Sequence, residues 1–187
     1  MPRMSGDLSR HLDVFPTWLK TLGGDANDLA KVVAATDANG TARTYAAAGL
    51  NYLFKSLDLI PDGIEDLGYI DDAFVIRVAA ALAVKEDAAA GEGAEGVLLR
   101  RLGREADGIR EFLGDDYVRL ETYVKGLTKG AARGRTVAEI TGDAAVAGTF
   151  VDEVASWASS YASPSFTRDE KTLIRLRSFF ETKLPKA

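Results

Sequence analysis

The chain is predicted to be all-α, a multi-helix bundle around a central buried antiparallel helical hairpin. Three observations predict this. Apolar residues recur at spacings of three and four along most of the chain, helix-start and helix-stop residues punctuate those runs, and no segment alternates apolar and polar residues long enough to make a strand. The 187 residues, 47% hydrophobic and 27% charged, suit one all-α domain over 1–187 with a substantial core and a weak seam at 90–96.

In chain order, Leu8, Leu12, Phe15, Leu19 and Leu22 share one helical face. Pro16 removes an amide donor there and disfavours helix at Phe15, which predicts a kink or two short helices. Gly23 and Gly24 are read as a stop, and Asp25 as the cap of a helix carrying Leu29, Val32 and Val33. Residues 37–40 read as a turn, with Asn39-Gly40 suited to left-handed backbone. An alanine-rich helix is expected over 41–56, with Tyr45, Leu50, Leu53 and Phe54. A second helix, apolar all round, is expected from Asp72 to about Ala89, and such a helix is a buried one.

Residues 90–96 read as a loop. Leu98, Leu102, Ile109 and Phe112 define the next helix, loosened by Gly103 and Gly108 and ended by Gly114. Asp115 opens another, with Tyr117, Leu120, Val124 and Leu127 on one face. Residues 130–135 form a glycine-rich basic loop. Thr136 with Glu139 has capping-box spacing, and Gly142 ends that short helix. Val146, Phe150, Val154, Trp157 and Tyr161 mark a longer helix, broken at Pro164. Thr167 with Glu170 has the same box spacing before a last helix with Leu173, Leu176, Phe180 and Leu184.

The two central helices are joined by residues 56–72. Between Lys55 and Arg77 there is no positive charge, yet Asp58, Asp62, Glu65, Asp66, Asp71 and Asp72 all fall there. In one reading the carboxylates serve the backbone. Asp62 and Glu65 form a capping box, Gly68 takes a left-handed conformation, and Asp71 is an N-cap stapled by Ile70 and Val75. Asp72 lies in the first turn, where the helix dipole favours negative charge. Asp58 accepts amide hydrogens or pairs with Arg77. In the other reading, Asp58, Asp62, Asp71 and Asp72 are oxygen ligands for a magnesium or calcium ion. The spacing is not that of an EF-hand loop, since no glutamate stands at its twelfth position. The capping reading takes precedence.

The segments Leu-Asn-Tyr-Leu-Phe-Lys-Ser-Leu-Asp-Leu-Ile-Pro-Asp-Gly-Ile and Leu-Gly-Tyr-Ile-Asp-Asp-Ala-Phe-Val-Ile resemble the YkvA-like bacterial domain of unknown function. Its hallmark is an Asp-Leu-Ile-Pro-Asp turn followed by Gly-x-x-Asp-Asp, carried here by Asp58, Asp62, Gly68, Asp71 and Asp72. The resemblance covers residues 51–82 and implies a helical hairpin with no assigned reaction. It departs from the family at Ser56, where a proline is usual. Some relatives look membrane-associated.

Other features narrow the functional classes. A net charge of -5 and a pI near 5.0 argue against a dedicated nucleic-acid binder. Without cysteine, disulfides, thiolate metal sites and thiol catalysis are excluded. His11 is the only histidine and is expected at the surface of an amphipathic helix, so classical triads and histidine-rich zinc sites are excluded and no catalytic residue is assigned. Gly91, Gly93 and Gly96 spell Gly-x-Gly-x-x-Gly, but they follow a helix and are interleaved with Glu92 and Glu95, which would repel a pyrophosphate. Lys125, Lys129, Arg133 and Arg135 make a basic loop read as solvated. Trp18, Trp157 and Tyr161 are read as packing residues.

No apolar run reaches the ~20 residues a spanning helix needs, and the N-terminus lacks the apolar core of a secretion signal, so a cytoplasmic protein is expected. The functional expectation is a non-enzymatic binding or assembly module acting on a protein partner or on itself, with no cofactor. The alternatives are a divalent-cation protein or carboxylate-metal enzyme using the acidic turn, and peripheral membrane association.

Overall fold

The computed structural model describes residues 8–55, 58–64 and 67–186. Eight α-helices occur among them: α1 (Ser9–Ala34), α2 (Gly40–Tyr52), α3 (Ile70–Glu86), α4 (Gly93–Leu113), α5 (Tyr117–Leu127), α6 (Val137–Gly142), α7 (Ala144–Ser160) and α8 (Glu170–Lys183). One contiguous apolar cluster takes side chains from every one of them. At its centre is α3, whose residues Phe74, Val75, Ile76, Val78 and Leu82 are fully buried, as expected of a helix with no polar stripe.

The two central helices form the predicted antiparallel hairpin. At one end Asn39 caps α2 through Oδ1, which accepts from the Ala42 amide at 3.0 Å, while its Nδ2 donates to Asp87 beyond the end of α3 at 2.9 Å. At the other end Tyr52 reaches Asp71. Asn39 has φ -51°, so it acts as a cap and not as the left-handed residue its pairing with Gly40 suggested. Midway, Gly49 lets the backbones approach, because a Cβ there would lie 3.2 Å from that of Ala79. Gly103 does the same for α4, where a Cβ would lie 3.1 Å from the Ala81 Cα. The seam region holds a short 3-10 turn (Ala88–Gly91) and then α4. Gly96 is steric, since a Cβ there would overlap the Gly91 backbone, whereas Gly93 takes positive φ, at 72°.

The largest departure is α1, which runs unbroken through Pro16 and past Gly23 and Gly24. Packing overrides local propensity here. Pro16 is buried against the core, and Gly23 lies under α7, where a Cβ would sit 3.3 Å from the Ala158 carbonyl oxygen. Asp25 is therefore no cap. It is buried in mid-helix and holds two arginines. Arg77 Nη2 donates to Asp25 Oδ2 at 3.0 Å, and Arg77 Nε donates to Glu105 at 2.6 Å. Arg101 donates to Asp25 Oδ1 at 3.0 Å and to Asp28 at 3.1 Å. The Arg77 guanidinium also lies 4.4 Å over the Trp18 ring. This network ties α1, α3 and α4, and it takes Arg77 away from Asp58.

Other differences are smaller. His11 is buried, its ring 5.2 Å from Phe15 and 5.4 Å from Phe112, and that burial lowers its pKa. The basic loop closes on a minimal antiparallel pair, β1 (Ala131–Ala132) with β2 (Arg135–Thr136), around Arg133 and Gly134 at φ 50° and 76°. Positive φ at both central residues is what a type I′ hairpin turn requires. Its cations are largely engaged: Arg135 pairs with Glu153, Lys125 with Glu86, and Arg133 stacks on Phe54. The Thr136–Glu139 capping box is present. The last helix instead starts at Asp169, whose carboxylate accepts from the Thr172 amide at 2.9 Å, so Thr167 and Glu170 form no box.

Candidate functional site

The acidic turn lies where α2 ends and α3 begins. The helix α2 stops at Tyr52, short of residue 56, and the chain turns over Leu53 and Phe54. Ser56, Glu65 and Asp66 lie outside the described residues, so the predicted Asp62–Glu65 box does too. Gly68 does not adopt positive φ. Tyr69 does, at φ 67°, and stands at the start of α3. Gly68 is needed for a different reason: a Cβ there would collide with the Asp62 carbonyl oxygen. The left-handed Tyr69 is held by its ring, which meets Trp157 at 6.2 Å and Tyr161 at 5.3 Å. Replacing Gly68 by Ala is expected to lower stability by about 1–3 kcal/mol, the usual cost of overpacking. A denaturant midpoint equal to that of the wild type would refute this.

With α3 starting at Ile70, Asp71 falls inside the first turn and is not the N-cap. Its carboxylate turns across the hairpin. Asp71 Oδ2 accepts from the Tyr52 hydroxyl at 2.6 Å and from the Ile60 amide at 3.2 Å. The Tyr52 oxygen in turn accepts from the Leu59 amide at 2.7 Å. Asp71 thus serves backbone as expected, but the backbone of the turn and not of its own helix. The sequence reading missed Tyr52. The antiparallel hairpin offered the signal, because residues at the closed end of two paired helices must face each other.

The remaining valences are not filled. Asp58 Oδ1, Asp71 Oδ1 and Asp72 Oδ2 are each buried with no hydrogen-bond donor among the described residues. Asp71 and Asp72 are at most 2% exposed, so water does not compensate at the surface. Burial pushes all three pKa values up, with neighbouring carboxylates adding to the effect: Asp58 to about 7, Asp71 to about 6, and Asp72 well above the ordinary carboxylate range. Asp62 sits at the exposed rim and adds its charge to the others. Lys55, which lowers the Asp58 pKa, is the cation felt there; its Nζ donates to the Tyr123 hydroxyl at 3.1 Å. Tyr52, Tyr69, Tyr123 and Tyr161 surround the cluster, and burial and these acids raise their pKa values, that of Tyr123 to about 12.

The structure therefore brings Asp58, Asp71 and Asp72 into one electrostatic unit, with Asp62 at its edge. Among the described residues no three acidic or imidazole groups are arranged as a ready metal shell. Among them, too, no helix is long and apolar enough to cross a membrane. Fold and site together define an all-α bundle built on a buried hairpin with an acidic reversal. Residues 42–77 match a family described as a protein of unknown function, DUF1232, and the match runs over α2, the acidic turn and the first half of α3. No curated protein and no solved structure matches the chain.

Proposed function

We propose that this protein is a non-enzymatic helical binding module whose acidic turn takes up a divalent cation, magnesium or calcium. The reading rests on the three orphaned carboxylate oxygens of Asp58, Asp71 and Asp72. A buried carboxylate without a donor, beside others of the same charge, needs either a proton or a cation. Magnesium commonly binds through one or two carboxylates and keeps several waters, so it does not require a closed shell of three. The non-enzymatic part is supported by the chain's only histidine being buried, stacked on Phe15 and edge-on to Phe112.

The test is a thermal melt at pH 8 with chelator, and then with magnesium or calcium. An ion bound only by the folded chain adds about 2.7 kcal/mol at a hundredfold excess over its dissociation constant. The melting temperature is expected to rise with either ion, and the rise to shrink in Asp71→Asn and Asp72→Asn. Equal melting with chelator and with each ion would overturn the proposal.

A further inference from the structure

The outer face of α4 carries four exposed charges, Arg100, Arg104, Asp107 and Glu111. Their spacings of four, three and four place them in one stripe along the helix. The other charges of this region are already engaged inside the chain. Arg101 holds Asp25 and Asp28, Glu105 holds Arg77, and Arg110 stacks on Tyr117. Glu111 accepts from Arg10 but keeps half of its side chain exposed. No ion pair within the chain is found for Arg100, Arg104 or Asp107 among the described residues. Two grooves flank the stripe, one against α1 of about 570 Å³ with Val14 and Trp18 in its wall, and one against α3 of about 380 Å³ with Val84 and Leu99. Gly108 and Gly103 lie in these grooves, and Arg104 and Asp107 of the stripe stand on the ridge between them and line both.

The order of charge along the stripe is two positive and then two negative. Laid antiparallel on a second α4, with the two-fold axis passing between residues 105 and 106, it puts Arg104 opposite Asp107 and Arg100 opposite Glu111. A parallel copy would set like charges against each other. We infer that this face of α4 is a self-complementary docking surface for a second copy of the same chain, the two α4 helices running antiparallel. Such an interface is isologous, each partner using the same patch. The charges set register and orientation, while the apolar groove walls, with Val97 at 55% exposure beside them, supply the area removed from water. This stands apart from the acidic turn and does not depend on a cation.

The test uses sedimentation velocity on the full chain at low salt over a range of concentrations. The wild type is expected to dimerise, and more weakly as salt screens the pairs. Arg104→Glu or Asp107→Arg alone sets like charges opposite each other twice across the two-fold axis. Each should raise the dissociation constant by about tenfold or more, which corresponds to ~1.4 kcal/mol. The double variant Arg104→Glu/Asp107→Arg restores opposite signs and should restore the dimer. Both side chains are exposed, so an unchanged melting temperature at a concentration where all variants are monomeric confirms that folding is intact. A wild type that stays monomeric up to its solubility limit, single variants that dimerise normally, or a double variant no tighter than the singles would each overturn the inference.

Discussion

Replacing Arg77 by Met is expected to cost about 3–5 kcal/mol, the usual consequence of removing one partner from a buried ion pair. The loss comes from what remains. Asp25 is 3% exposed, and without Arg77 it keeps, among the described residues, Arg101, which approaches from the partly open side, and the Thr21 hydroxyl at 2.8 Å. The Trp18 ring also loses the guanidinium stacked on it. For a chain of this length the melting temperature should fall by roughly 6–20 °C, at a few degrees per kcal/mol. The second half of the prediction separates a charge effect from a packing effect. The double variant Arg77→Met/Asp25→Leu removes the stranded carboxylate as well. Arg101 and Asp28 can then pair with each other, and Glu105, about one-third exposed, can turn to solvent. The double variant should recover most of the loss, as apolar replacements of buried ion pairs commonly do. A double variant no more stable than Arg77→Met would show that the network contributes through shape and not through balanced charge.

The Arg77 network also marks the boundary of what the sequence could reveal. Helix positions were legible wherever an apolar stripe repeated, because one helical period decides which side chains face the core; the runs through Leu98, Leu102, Ile109 and Phe112, and through Val146, Phe150 and Val154, became α4 and α7 as expected. The buried hairpin was legible because α3 has no polar stripe to turn outward. Breakers were misread. Pro16 and Gly23-Gly24 carry strong local penalties, yet the helix continues because α7 and the core close around it, and that information lies more than a hundred residues downstream at Ala158 and Tyr161. The same limit applied at the acidic turn. Spacing could gather Asp58, Asp62, Asp71 and Asp72, but it could not assign Asp71 to Tyr52 and the Ile60 amide, nor show that Tyr69, a bulky residue, would take the left-handed conformation and leave Gly68 a purely steric task. Each of those depends on how two chain segments cross.

In chelator at pH 8, replacing Asp72 by Asn is expected to stabilise the protein, by about 1–3 kcal/mol, the range for removing a buried group whose hydrogen-bonding needs are unmet. The carboxylate offers only acceptors among other carboxylates, whereas the amide adds two donors of nearly the same shape. The pH dependence fixes the sign. Asp58, Asp71 and Asp72 all have folded-state pKa values above those of the unfolded chain, so folding takes up protons between about pH 4 and pH 7. The stability they contribute is fully present below about pH 4 and is lost as pH rises through the folded values of about 6 and 7. His11 acts in the opposite sense, since its lowered pKa favours the folded state at higher pH. The informative quantity is therefore the difference between wild type and Asp72→Asn, in which His11 cancels. That difference should be small near pH 2–3, below the ordinary aspartate pKa of about 3.9, where the wild-type carboxyl is protonated folded or unfolded. It should grow in favour of the variant up to pH 8. Adding magnesium or calcium at pH 8 should then narrow the gap, by stabilising the wild type more than the variant. A wild type more stable than Asp72→Asn at pH 8 in chelator would mean that Asp72 has a resident positive partner and that its oxygen is not orphaned.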